Sequence, residues 1–350
     1  MLFNELKYFD YQFPEPQYLG AKYIHRSWIN KYIPDGVNVA LDAFGGSQSI
    51  AFLFKQKGLR TLTNDFMDCN NQIGVALIEN KDQTLTEKDI EILFSTNPNP
   101  EEYNLIESLY AGLFFERKDA QIIDAFRANV ERLENKYKKA LAIAVMNRSM
   151  TRKVTMGHFA HTQALTYAAS PERIKRNRSL VRPIKDIFMS LYPQYNNAVF
   201  DNNEENKSYN SNTLELIPKL ESVDLVYFDP PYCNSHADYQ SFYHLLETFT
   251  EYWKDKKFVN GTRRYEPKRY SGFDKKATAI SSLESMLKSS CNIPYWLISY
   301  NDRSYPDIKT FTSLISRFKK DIRIECSTYK YGRGGKGSVA GSNEVLIICK

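Results

Sequence analysis

Cysteine is scarce in this 350-residue chain, and its five thiols, Cys69, Cys233, Cys291, Cys326 and Cys349, stand far apart with no CxxC pair. That spacing argues against a disulfide framework and a cysteine-based zinc site, so the thiols are expected to be reduced and structural. Histidine is equally sparse. His158 and His161 lie three apart but have no acid or cysteine at ligand spacing, which points to a hydrogen-bonded or partner-facing loop and no metal. Long apolar runs are missing too, with nothing approaching the roughly 18 residues of a membrane span. Met1 to Phe13 mixes Glu5, Lys7 and Asp10 with aromatics, unlike the basic and apolar regions of a secretory signal. Internal repeats and low-complexity tracts are absent as well. A soluble, cytoplasmic protein is the expectation.

What is present fits a globular enzyme. Charged residues make up 25% and hydrophobic residues 42%, ordinary values for a folded domain. The length allows one full catalytic core plus an inserted module. The net charge of +6 is modest, but the basic residues cluster.

Val37 to Phe44 (VNVALDAF) is a short apolar run that ends in an acid and an aromatic, followed by Gly45, Gly46 and Ser47. A helix-compatible segment, Ile50 to Lys57, and a second apolar run, Leu59 to Asp65, come next. Strand, glycine turn, helix and strand with a terminal acid form one half of a doubly wound α/β sheet, whose ligand sits at the carboxyl ends of the strands. From about Asn80 to Pro193 the pattern turns helical, which reads as an insertion. Strand signals resume at Asp224 to Asp229, Tyr295 to Tyr300, Ile322 to Cys326 and Val345 to Cys349. The fold class is therefore α/β, with catalytic portions at 1–80 and 194–350 and a largely helical module at 81–193.

The most specific motif is Asp229-Pro230-Pro231-Tyr232, directly after an apolar strand. Two prolines stiffen the backbone and remove two N–H donors, leaving carbonyl oxygens to accept hydrogen bonds. An exocyclic amino group on a base is a poor nucleophile until acceptors draw on its hydrogens. The Asp229 carboxylate and the Pro230 carbonyl suit that task, and Tyr232 offers a stacking face for a base turned out of its duplex. A strand-ending turn with a surface tyrosine is the plainer reading.

Asp42 to Ser49 (DAFGGSQS) is the second element. Glycine at such a turn allows close approach of a ligand, and the following helix N-terminus offers N–H groups to an anion. Alone it could be a plain turn. Asp65 strengthens it by ending the next strand 19 residues after Gly46, near the roughly 20-residue spacing at which an acid meets ribose hydroxyls.

With these elements in this order, the chain resembles over most of its length the Dam-type (D12 class) N6-adenine-specific DNA methyltransferases. Tyr18 to Tyr23 (YLGAKY) is similar to the family's N-terminal cofactor motif, which implies that Tyr18 and Lys22 contact S-adenosylmethionine. DAFGGSQS matches the family's glycine motif at Phe44 and Gly46 but has Gln48 where a second glycine is usual. The resemblance thus implies a Rossmann-like methyltransferase sheet and a cofactor site of Tyr18, Lys22, Asp42, Phe44, Gly46, Asp65 and Asp229. It further implies a restriction-modification setting, with a cognate endonuclease and a monomeric enzyme. Met146 to Gly157 corresponds in location to the family's DNA-contacting stretch, which points to Asn147, Arg148, Arg152 and Lys153 as contacts with duplex DNA.

Composition supports that region independently. From Arg148 to Lys185 run nine cations against the single acid Glu172, a patch suited to phosphates or, equally, a solvated face. A second basic stretch, Lys254 to Arg269, follows the catalytic motif and suits DNA contact or a closing lid. Tyr329 to Asn343 reads as a mobile glycine-rich hairpin; Gly335-Lys336 is followed by glycine, so it is no phosphate-binding P-loop.

The expected reaction is direct transfer of a methyl group to N6 of adenine in duplex DNA, with the base flipped into the pocket at Asp229 to Tyr232 and no covalent intermediate at Cys233. RNA adenine N6, cytosine N4 in DNA, and a non-catalytic DNA-binding partner subunit are the other readings. The inserted module favours a duplex DNA reader, Asp before the prolines disfavours cytosine, and the intact Asp65 and Asp229 disfavour an inactive scaffold.

Overall fold

The computed structural model describes residues 8–233, 238–253, 255–327 and 343–350. Among the described residues nine strands run in chain order: β1 Val39–Asp42, β2 Arg60–Asn64, β3 Lys207–Tyr209, β4 Leu225–Phe228, β5 Lys257–Phe258, β6 Tyr265–Glu266, β7 Tyr295–Asn301, β8 Ile322–Cys326 and β9 Glu344–Cys349. Seven of them form one sheet in the order β3-β2-β1-β4-β7-β9-β8, while β5 and β6 pair as a separate ribbon. In the main sheet all pairings are parallel except those of β9 with β7 and β8.

The apolar runs become strands because the centre of a parallel sheet is covered on both faces and rewards continuous hydrophobicity. All four residues of β4 are buried. Leu62 of β2 and Leu41 of β1 pack with Leu283, Met286 and Phe311 beneath one face; Ala40, Leu53 and Phe54 pack with Leu225 and Leu297 on the other. The chain runs outward from β1 through β2 to β3 and then crosses back to β4 on the other side of β1, so the strand order reverses between β1 and β4. A crevice opens at the carboxyl ends of such a pair.

The segment 81–193 is helical, as its periodicity indicates, with Arg117–Val130, Lys136–Arg152 and Ile184–Asn196 as its long helices. Its core is continuous with that of the sheet's flank: Phe126, Leu141, Val145 and Phe188 cluster with Phe52, Met67 and Ala76. The helix Tyr239–Glu251, which follows the Asp229 motif, packs against Asp68–Gly74 and Lys136–Arg152 and ties the two parts together. No helix among the described residues is long and apolar enough to cross a membrane. The glycine-rich stretch Tyr329 to Asn343 lies, apart from Asn343, outside the described residues, as does Lys254.

Candidate active site

A cleft of about 820 Å³ opens where β1, β2 and β4 end. Tyr18, Lys22, Asp42, Phe44, Gly46, Asp65, Asp229 and Pro231 all line it, although they come from four separate stretches of the chain.

The floor is built by the glycine turn. Gly46 adopts a left-handed backbone (φ +49°), and a β-carbon there would come within 3.3 Å of the Tyr18 ring. Its N–H donates to Asp65 Oδ2 at 2.8 Å, so the two residues paired by spacing are in direct contact. Asp65 Oδ1 accepts from Met67 N at 2.8 Å. Gln48, the departure from the usual glycine, is also left-handed (φ +66°) and fully buried. Such a backbone costs a non-glycine residue roughly 1–2 kcal/mol. Two interior hydrogen bonds offset it, from Thr63 Oγ1 to Gln48 Oε1 at 2.6 Å and from Gln48 Nε2 to the Asn70 carbonyl. Gly45 makes the room, since a β-carbon there would lie 2.3 Å from Gln48 Nε2. Gln48 is thus a structural wedge beneath the turn.

Asp42 ends β1 and is 1% exposed. Its Oδ2 accepts from Ala51 N in the first turn of the helix Ser49–Gln56, and its Oδ1 has no hydrogen-bond partner among the described residues. Burial, reinforced by the nearby Asp229 charge, pushes its pKa up to about 8. Burial likewise raises Asp65 to about 6 against the pull of the Met67 and Gly46 N–H groups. Buried carboxylates with raised pKa values call for a cationic or hydroxyl-bearing ligand.

At the opposite end, Lys22 Nζ holds both oxygens of Asp229, at 2.8 and 2.7 Å, and donates to the Gly20 carbonyl. The Tyr232 hydroxyl donates to Asp229 Oδ1 at 2.8 Å, and the Lys22 ammonium lies 5.2 Å from the Tyr232 ring centroid. A further carboxylate, Glu344 at the start of β9, is wholly buried and approaches both Lys22 and Tyr232. Burial raises the Asp229 pKa, the Lys22 charge opposes that, and the Glu344 charge adds to it. Burial also pushes the neighbouring Cys233 thiol up, which disfavours a thiolate nucleophile there.

Aromatic groups complete the walls. The Tyr18 ring stacks on Tyr243 at 4.5 Å and on Tyr239 at 5.6 Å, and the Tyr243 hydroxyl accepts from Leu19 N. Across the cleft, Phe44 meets Phe273 edge to face, with Tyr270 beside it. Tyr270 and Phe273 follow directly after the basic stretch that carries the β5–β6 ribbon. Arg269 anchors that segment by ion pairs to Glu251 at 2.6 Å and Glu247 at 3.7 Å, and by a hydrogen bond to the Phe66 carbonyl.

The proposed nucleic-acid residues fall into two groups. Asn147 and Lys153 are 4% and 6% exposed, and both are committed inside the protein. Asn147 Nδ2 donates to Thr250 Oγ1; Lys153 pairs with Asp119 at 2.8 Å and donates to the Arg182 carbonyl. Asn147 lies on the part of the helix Lys136–Arg152 that is largely buried from Ala140 onward, and Lys153 follows directly after that helix. Arg148 is half-buried against Gln17 and the Glu15 carbonyl, and Arg152 reaches Ser179. Lys175, Arg176 and Arg178 are exposed, and the helix Pro171–Arg176 buries no residue. His158 lies against the Phe242 ring, and no group of ligand-type side chains among the described residues could hold a metal.

Sequence reasoning missed Glu344, Tyr239 and the wall residues Tyr270 and Phe273. Tyr239 could have been suspected as an aromatic opening the helix after the catalytic motif. Glu344 carries no local signal.

Comparison with known proteins agrees with the geometry. The description of the D12 class N6 adenine-specific DNA methyltransferases matches residues 18–319. Type II methyltransferase M2.HphI of Haemophilus parahaemolyticus is 29% identical over 343 residues, covering 96% of this chain and 98% of that protein. Modification methylase StsI of Streptococcus sanguinis is 22% identical across 95% of this chain, which spans only 51% of that protein. Taken with the cleft at the ends of β1, β2 and β4, these matches establish that the chain belongs to the D12 class of N6 adenine-specific DNA methyltransferases.

Proposed function

We propose that this enzyme methylates N6 of an adenine turned out of duplex DNA, with Asp229 to Tyr232 as the pocket that receives the base. The observation that carries the reading is the placement of Asp229 and Lys22 at one end of the same cleft whose other end holds Asp42, Gly46 and Asp65. S-adenosylmethionine, when bound, supplies a methyl group on a sulfonium. The residues present fit that cofactor: the unpartnered Oδ1 of Asp42 suits a cationic group, and Asp65 suits ribose hydroxyls.

The chain's own residues do the rest. Asp229 and the Pro230 carbonyl accept the two amino hydrogens, which returns lone-pair density to the nitrogen. As the nitrogen gains the methyl group and positive charge, the Asp229 carboxylate stabilises that charge. Its raised pKa makes it a suitable acceptor for the proton the nitrogen then loses. The Tyr232 ring stacks on the extruded base. Most of the rate gain comes from holding donor and acceptor in line.

The helical segment 81–193 is the target-recognition part. Within it the exposed Lys175, Arg176 and Arg178, with Arg152, are the phosphate contacts. The likeness to a Type II methyltransferase and to a modification methylase supports a role beside a cognate restriction endonuclease, and a monomer is the form we propose for the enzyme. Restriction of unmethylated host DNA carrying the cognate site, before and after expression of this chain, tests the pairing. Protection is the expected outcome, and continued cleavage by every endonuclease encoded beside it contradicts that role.

A further inference from the structure

Glu344 belongs to no motif in the sequence, yet it sits at the heart of the cleft. It faces Asn301 across the β7–β9 pairing and is fully buried. Its Oε1 lies 3.1 Å from the Tyr232 hydroxyl and 3.4 Å from Lys22 Nζ. Those are the same two donors that Asp229 holds at 2.7–2.8 Å. Two carboxylates therefore compete for one ammonium and one phenol.

The competition bears on catalysis because most of the acceptor capacity of Asp229 is taken up as it stands. Lys22 covers both of its oxygens and Tyr232 also occupies Oδ1, so an incoming amino group meets a carboxylate already shared with an ammonium and a phenol. An ammonium bound across the carboxylate also cancels the negative charge that would stabilise a nitrogen becoming positive. Glu344 resolves both difficulties. A short displacement of Lys22 and Tyr232 toward Oε1 uncovers Asp229, and one cation between two carboxylates leaves the cluster with a net negative charge.

We infer that Glu344 is a positioning residue for methyl transfer: the alternative acceptor that draws Lys22 and Tyr232 off Asp229 so that the Asp229 carboxylate can take the target amino group. The inference rests on the reading of Asp229 as the acceptor for that group.

Glu344→Gln tests it, because glutamine keeps the shape and an oxygen acceptor but lacks the charge. Loss of a charged hydrogen-bond acceptor of this kind is expected to lower kcat about 10- to 100-fold. KM for unmethylated DNA and the calorimetric affinity for S-adenosylmethionine should stay within about twofold of wild type, since an interaction made only on the way to the transition state leaves binding untouched. Glu344→Asp, which withdraws the charge by one methylene, should fall between. If the glutamine variant does not fold, the aspartate variant decides by the same criterion. Unchanged kcat, or a loss of cofactor affinity and Tm that parallels the loss of rate, would overturn the inference. Wild-type enzyme run on both DNA and total RNA keeps the two readings separate. The variants are scored on whichever nucleic acid the wild type labels, so the DNA assignment can fail while the role of Glu344 still stands or falls.

Discussion

The cleft and the basic helical segment treat their charged residues in opposite ways. In the cleft, Asp42, Asp65, Lys22 and Glu344 are all less than a tenth exposed, and their burial is what gives them chemistry: raised carboxylate pKa values, an unpartnered oxygen, a shared ammonium. In the helical segment, burial has the reverse meaning. Lys153 is equally hidden, but its charge is paired with Asp119, and the exposed cations are those the fold leaves outside, on and beside Pro171–Arg176.

The largest effect should come from the cleft. Asp229→Ala is expected to lower kcat by on the order of 10³-fold, comparable to loss of a main electrostatic group in other active sites. Cofactor affinity, measured by calorimetry, should remain within a few-fold. Retention of most activity would remove Asp229 from its role.

The next effect should come from the helical segment and be one of stability. Lys153→Met leaves Asp119 buried without its cation, a change that costs about 3–5 kcal/mol in comparable buried pairs. Denaturant unfolding should show that loss. At temperatures where the variant remains folded, DNA affinity should be near that of wild type. A variant of normal stability with weakened DNA binding would reverse the assignment and restore Lys153 as a phosphate contact.

Asp65→Ala should weaken S-adenosylmethionine binding by roughly 10- to 100-fold, the worth of charge-assisted hydrogen bonds. Charge removal at Lys175, Arg176 and Arg178 should act more gently. Each lost phosphate contact lowers the slope of log affinity against log salt by about one, with little change in cofactor binding. An unaltered salt slope would place DNA elsewhere.

The smallest effect is a pH dependence. Asp42, raised to about 8, is protonated at neutral pH while the cleft lacks a cation. A cationic ligand favours the carboxylate and lowers that pKa, so binding releases a proton. Affinity should therefore rise from pH 6 toward 8 and level off above it. Calorimetry in buffers of different ionisation enthalpy measures the release, and Asp42→Asn should abolish it.

Much of this was legible before any coordinates. The apolar runs that became β1, β4, β7 and β9 announce themselves because strands covered on both faces tolerate few polar residues, while β8 shows by alternation although it is an antiparallel strand with no buried residue. β3 did not, since Lys207–Tyr209 is a short, partly exposed edge strand whose partner β2 lies far away in the chain. Asp229 and the Gly46 and Asp65 pair were readable from spacing. Lys22 was readable only through the family resemblance, because nothing in YLGAKY says that its ammonium ends on a carboxylate 207 residues away. Glu344 was invisible, as its placement depends on the β7–β9 register. Asn147 and Lys153 were named through the family resemblance, which carries only their location in the chain, and the burial of their side chains depends on packing that no local pattern shows.

The most direct measurement is transfer of labelled methyl from S-adenosylmethionine to unmethylated genomic DNA, with total RNA in parallel and both digested to nucleosides. Label in N6-methyladenine from DNA is the expected result. Label confined to RNA, or to N4-methylcytosine, would contradict the assignment of adenine in DNA as the target.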